Sequence, residues 1–197
     1  QGLCLTALPC GIAVEPNMNM VNPGAGGDLA KPWQLLFVQV GAEAGAGIAC
    51  AAAEAGLDVV LLDTSAELAA RGKAYADARW AKQVQQGRMS EAAQGKLAAR
   101  IRPTSDFASL DGCDIVVEAV FEDRALKAEV TRKAEAMLAP TAVFASNTST
   151  LPITGLAQAS ARPANFIGLH FFSPAEKMPL VEIIRGQATS DDCLARA

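Results

Sequence analysis

Imidazole is scarce here: one histidine, His170, in 197 residues. Whatever proton transfer this chain performs near neutral pH with an imidazole must therefore run through one identifiable residue. Aromatic residues make up only 5% of the chain, against a hydrophobic content of 51% with much alanine, which suits tightly packed helices on a sheet. Basic runs are missing, and the formal charge of −4 comes from interspersed signs, so nothing favours a nucleic-acid partner. No apolar stretch is long enough to span a bilayer. The five cysteines, Cys4, Cys10, Cys50, Cys113 and Cys193, lack metal-ligand spacing and read as free thiols of a reducing, cytoplasmic compartment. The chain opens at Gln1, has no basic residue before Lys31, and so lacks the charged start of a secretory signal. It stops at Ala197, just after Thr189-Ser190-Asp191-Asp192 opens a helix, and reads as cut from something longer.

Two grammars divide the chain. Residues 1–34 are rich in Gly, Pro, Asn and Met without a sustained period and read as a linker or poorly ordered arm. From Leu35 to Ala197 the pattern is that of an α/β domain. Leu35 to Val40 is a short apolar strand, an alanine-rich helix runs to about Ala55, Gly56 closes it, and Asp58 to Asp63 is the next strand: a βαβ unit. Two helices spanning about 65–102, broken at Gly87 and ending before Pro103, read as a helical hairpin inserted in the domain and projecting from the sheet. Strands at 113–119 and 141–146 alternate with helices at 123–138 and 152–159, and two more strands follow around His170 and Glu182. Near-continuous apolar strands separated by helices predict a doubly wound, mostly parallel, Rossmann-type sheet covered on both faces. No internal repeat is visible.

The turn after the first strand is glycine-rich but irregular. A dinucleotide-binding turn wants G-x-G-x-x-G; in Val40-Gly41-Ala42-Glu43-Ala44-Gly45 the outer glycines stand four apart, one short, and Glu43 puts a carboxylate where phosphate charge would lie. A plain glycine-rich turn is the competing reading. Asp63, ending the second strand about twenty residues on, fits an acceptor for the two hydroxyls of an adenosine ribose, although a strand-end aspartate can also be a helix cap. Thr64 and Ser65 follow with no arginine for a 2′-phosphate, favouring NAD over NADP. Asn147, Thr148 and Ser149 cluster at a strand end, where they can bind a ligand or cap the helix at Pro152. Lys73, Arg79, Lys82 and Arg88 on the hairpin are either a solvated face or a site for a polyanion.

His170 closes an apolar strand, and Glu182 sits on the neighbouring one, the makings of a histidine–carboxylate pair; a buried or surface histidine of no function is the plain alternative. Ser146-Asn147-Thr148-Ser149, Gly168-Leu169-His170-Phe171-Phe172-Ser173-Pro174 and Met178-Pro179-Leu180-Val181-Glu182-Ile183-Ile184 together resemble the L-3-hydroxyacyl-CoA dehydrogenase family of fatty-acid β-oxidation, including its bifunctional bacterial members. The strands around Asp63 and Glu118-Ala119 fit too, and the likeness runs from about Ala44 to the C-terminus. The resemblance implies NAD-dependent oxidation of an L-3-hydroxyacyl-CoA to the 3-ketoacyl-CoA. It implies His170 as general base, Glu182 as its partner, Ser149 near the substrate 3-oxygen, and Asp63, Glu122, Lys127 and Asn147 around NAD; Gly41 and Gly45 of the glycine-rich turn and Ala119 at the third strand end are further cofactor-binding candidates by position. It also implies coenzyme A contact by Lys73 and Lys82, a homodimer or membership of a β-oxidation complex, and a C-terminal helical domain that this chain lacks. Ser173 stands where some members carry asparagine. Two other readings stay open: a non-catalytic NAD-binding fragment, and a dehydrogenase of small free 3-hydroxy acids.

Overall fold

The structure, a computed structural model, describes residues 34–39 and 43–197. Apart from Gln34, the arm expected at residues 1–34 lies outside the described residues, as does Gly41. Among the described residues, seven strands form one sheet: β1 (Gln34–Gln39), β2 (Asp58–Asp63), β3 (Ile101–Thr104), β4 (Ile115–Glu118), β5 (Val143–Ser146), β6 (Phe166–Phe171) and β7 (Val181–Arg185). Their order is β3-β2-β1-β4-β5-β6-β7. Every neighbouring pair is parallel except β6 with β7. The chain therefore winds outward from β1 on one side, returns, and winds outward on the other. That reversal opens a crevice at the carboxyl ends of β1 and β4, where doubly wound sheets take their ligands.

The apolar strands alternate between two cores. Val59 and Leu61 of β2 pack with helix α1 (Glu43–Glu54) on one face, while Val60 and Leu62 join the helix α4 (Arg124–Glu135) on the other. Period-two side-chain alternation in a sheet buried on both faces explains why the strands carry so few polar residues. Phe144 and Phe166 stack across β5 and β6 with centroids 5.3 Å apart. Serine and aspartate start the helices as N-caps: Ser65 accepts from the Leu68 N–H at the head of α2 (Ala66–Gln85), Ser90 from Ala93 at α3 (Glu91–Arg100), and Asp123 from Leu126 at α4.

Two expectations need correcting. The second hairpin helix does not run to about 102: it ends at Arg100, and Ile101-Arg102-Pro103-Thr104 pairs with β2 as the outermost strand, an edge position where a proline costs no ladder bond on its solvent side. Nor does the hairpin simply project. Ala69, Gly72, Ala76 and Trp80 bury one stripe of α2, Trp80 completely, against the α1 side of the sheet. Of the two hairpin helices only α3 has no fully buried residue, and its Leu97 and Ala98 pack half-buried against the same core.

Gly168 matters for where the sheet ends. A Cβ there would lie 2.7 Å from Ile153 Cδ1 and 2.9 Å from Ile184 Cβ. A glycine thus lets the short helix α5 (Ile153–Leu156) settle onto β6 and β7 immediately before His170.

Candidate active site

The antiparallel register of β6 and β7 sets His170 directly opposite Glu182. Their side chains meet, Nδ1 to Oε2, at 2.8 Å. The imidazole is 19% exposed and the carboxylate 40%, so the pair is reachable from solvent yet partly shielded. Phe172 lies tilted against the ring, centroids 4.8 Å apart. A carboxylate at Nδ1 selects the tautomer that donates from Nδ1, leaving the lone pair on Nε2.

The neighbouring strand ends are stitched to this one. Asn147 Oδ1 accepts the Phe171 N–H at 2.8 Å, and the Asn147 N–H donates to the Glu118 carbonyl at 2.7 Å. Asn147 therefore spans the carboxyl ends of β4, β5 and β6. Ser149 is exposed in the turn that follows β5, at the same end of the sheet, and its N–H donates to Glu122 Oε1 at 3.1 Å.

Beneath lies a buried ionic cluster. Lys127, 2% exposed, donates from Nζ to Glu118 Oε1 at 2.8 Å and to the Val120 carbonyl at 3.1 Å, and sits 3.2 Å from Glu122 Oε2. Three oxygens match the three protons of an ammonium. Glu118, 1% exposed, is further held by the Ser146 hydroxyl at 2.8 Å and the Val120 N–H at 2.7 Å. The lysine anticipated beside the cofactor thus spends its charge inside the protein, on the loop carrying Ala119 and Glu122. Nothing drew attention to Glu118 as its partner, although an acid in an otherwise apolar strand is a signal that a buried counter-charge must exist.

Glu122 pins the next turn. Its Oε1 accepts from the Thr148 hydroxyl, the Ser149 and Thr150 N–H groups and the Thr150 hydroxyl. Burial opposes its ionisation, but the Thr148 hydroxyl, the Lys127 charge and the Thr150 N–H outweigh that and hold its carboxyl down at about 2. A depressed folded-state value contributes stability above the unfolded value, which is lost as pH falls through the folded one. Glu122→Gln should therefore flatten the acid side of the stability curve: unfolding midpoints of the wild type drop between the ordinary 4.5 and about 2, and those of the variant drop less. Urea titrations across that interval check it, and parallel curves would refute it.

Asp63, 3% exposed, closes β2 opposite Gln39 of β1, one strand away from the β1–β4 crevice where the winding reverses. Its Oδ1 accepts the Thr64 N–H at 2.7 Å and the Thr64 hydroxyl at 3.2 Å. Gly45 is buried in the first turn of α1, and Ala119, 8% exposed, follows β4. The two hairpin lysines part company. Lys73 is paired with Asp77 at 2.9 Å, whereas Lys82 lines a cavity of about 670 Å³ with Arg79, Arg88, Lys177, Tyr75 and Glu176. Cys50, Cys113 and Cys193 are free and buried, and burial pushes all three thiols up, Cys50 to about 12. Among the described residues no group of three His, Cys, Asp or Glu side chains could hold a metal ion. Nor is any described helix long and apolar enough to cross a membrane.

The sequence and the fold both match known proteins. Residues 40–197 match the family model of the 3-hydroxyacyl-CoA dehydrogenase NAD binding domain. The fatty acid oxidation complex subunit alpha of Psychrobacter arcticus is 42% identical over 151 residues, 77% of this chain and 21% of that protein. A probable 3-hydroxybutyryl-CoA dehydrogenase of Deinococcus radiodurans is 42% identical over 157 residues, 79% of this chain and 56% of that one. The chain thus spans between a fifth and just over half of these curated relatives. The crystal structure of (S)-3-hydroxybutyryl-CoA dehydrogenase from Ralstonia eutropha superposes with a TM-score of 0.79 at 34% identity, covering 84% of this chain and 58% of that one. A doubly wound sheet with a histidine–glutamate pair at its carboxyl edge, matched from residue 40 to the last, belongs to the 3-hydroxyacyl-CoA dehydrogenase family and forms its NAD binding domain.

Proposed function

We propose that the protein containing this chain oxidises an L-3-hydroxyacyl-CoA to the 3-ketoacyl-CoA in fatty-acid β-oxidation. The observation that carries the reading is the His170–Glu182 pair, 2.8 Å apart at the carboxyl end of the sheet, beside the turn that bears Ser149. When bound, NAD supplies the acceptor for the hydride that leaves substrate C3. The chain's own groups do the rest. With Nδ1–H donated to Glu182, His170 takes the hydroxyl proton at Nε2, and the Glu182 carboxylate stabilises the imidazolium that results. The Ser149 hydroxyl holds the 3-oxygen.

The donor set suits the dinucleotide. Asp63 offers a carboxylate for the adenosine ribose at the carboxyl end of β2, beside the β1–β4 reversal, and Thr64 and Ser65 bring no positive charge for a 2′-phosphate. Gly41 and Gly45 would flank the pyrophosphate; Ala119 and Asn147 would line the nicotinamide side. Glu122 and Lys127 would act on that side through the turn and loop they hold. Lys82 and the cations around it would meet the phosphates of coenzyme A, with Lys73 further along the same helix. We assign the protein to the cytoplasm, as a homodimer or part of a β-oxidation complex.

Titrating the purified chain with NADH by fluorescence, and assaying the longer protein with acetoacetyl-CoA, separates this reading from its rival. Saturable binding with turnover supports the enzyme. Binding without turnover in the longer protein supports a non-catalytic fragment, the reading favoured by the glycine turn that is one residue short.

A further inference from the structure

The connection between β6 and β7, residues 172–180, carries one side chain held far more firmly than a surface loop requires. Glu176 Oε1 accepts the Tyr75 hydroxyl at 2.8 Å, and the Glu176 carbonyl accepts from the Arg79 guanidinium at 3.3 Å. Both partners lie on α2. Its other oxygen, Oε2, is buried without a hydrogen bond against α1, where a Cβ on Gly47 would come within 2.6 Å of it. The anchor continues inward: Arg79 Nε lies 3.6 Å from Glu54 Oε1, which accepts the indole N–H of the fully buried Trp80 at 2.8 Å. A buried carboxylate oxygen without a donor is costly. It is offset here by Arg79 and by the ring of cations, Lys82, Arg88 and Lys177, lining the cavity around it. Simple loop stability would be served better by an apolar side chain.

The connection joins the strand of His170 to the strand of Glu182, and the element it grips is the hairpin. We propose that Glu176 is a positioning residue, a latch that fixes the His170–Glu182 strand pair to helix α2, so that a ligand seated on the hairpin and the imidazole are held as one body. The latch rests on the functional reading above only for its effect on turnover. Tyr75, the chain's single tyrosine, reports on it: the Glu176 hydrogen bond first, then burial and the charges of Glu176 and Cys50, raise its phenol to about 12, against the lowering effect of Arg79.

Hydrogen exchange of the purified chain tests the latch without any assay. In Tyr75→Phe and Glu176→Ala the amides of residues 172–180 should exchange about tenfold faster, with those of β4 and β5 unchanged, and Glu176→Gln, which keeps an acceptor for Tyr75, should retain most of the protection. In the intact dehydrogenase, Tyr75→Phe and Glu176→Ala should lower kcat by about tenfold, with KM for the acyl-CoA substrate changed no more than about twofold, and Glu176→Gln should restore most of the kcat. Wild-type exchange rates in both loosened variants would overturn the latch whatever the activity. Faster exchange with unchanged kcat would overturn its positioning role. An intact wild type that exchanges as expected but turns over no 3-hydroxyacyl-CoA would overturn the functional reading and leave the latch standing.

Discussion

His170→Gln should lower kcat for the proposed oxidation by the longer protein by roughly 10²- to 10⁴-fold, the range that a positioned general base contributes. Glutamine can still hydrogen-bond Glu182 across the 2.8 Å that separates the native pair, so the β6–β7 register should survive. What it cannot do is take up a proton near neutral pH. NADH affinity should stay within about twofold, because the groups proposed to hold the dinucleotide lie on β2, α1 and the β4 and β5 turns. Steady-state kinetics beside NADH fluorescence titration reads both quantities. A variant with near-normal turnover would remove His170 from the mechanism.

Lys127→Met is expected to be the most damaging single change to the fold. It leaves the Glu118 carboxylate, 1% exposed, with two hydrogen-bond donors but no cation. Breaking a buried pair from one side typically costs about 3–5 kcal/mol. Glu122 also loses its neighbour at 3.2 Å, so the turn bearing Thr148 and Ser149 should loosen. Adding Glu118→Gln to Lys127→Met should recover a substantial part of the loss, since the uncompensated charge is then gone. Urea unfolding of the two singles and the double measures this. A loss below about 1 kcal/mol in Lys127→Met would mean that the pair contributes to specificity alone.

The sequence was most legible where one physical rule acted alone. Runs such as Val59 to Leu62 are apolar on both sides because both faces are covered, so their strand character and the doubly wound architecture could be read directly. His170 and Glu182 could be paired because each sits on a short, strongly apolar strand. Legibility failed where rules competed. Ile101-Arg102-Pro103-Thr104 combines a proline and a charge in four residues, which reads as a boundary, and only its edge position makes it a strand. Lys73 and Lys82 looked equivalent as exposed positives, yet Asp77, one helical turn beyond Lys73, occupies the first of them; that i,i+4 relation was available in the sequence. The Tyr75–Glu176 contact joins residues 101 apart, and no local pattern announces it.

The reversal of direction between β6 and β7 has an evolutionary consequence. In this pair the imidazole and its carboxylate are aligned by ladder pairing, with Phe171 opposite Val181 and Leu169 opposite Ile183 on either side. Loss or gain of a single codon within either strand would bring a valine or an isoleucine opposite the histidine and turn the acid to the other face of the sheet. Point substitutions can erode this centre by degrees. An indel in the strands would abolish it in one step, so lineages that keep the chemistry should carry their length changes in the bend and keep the ladders intact.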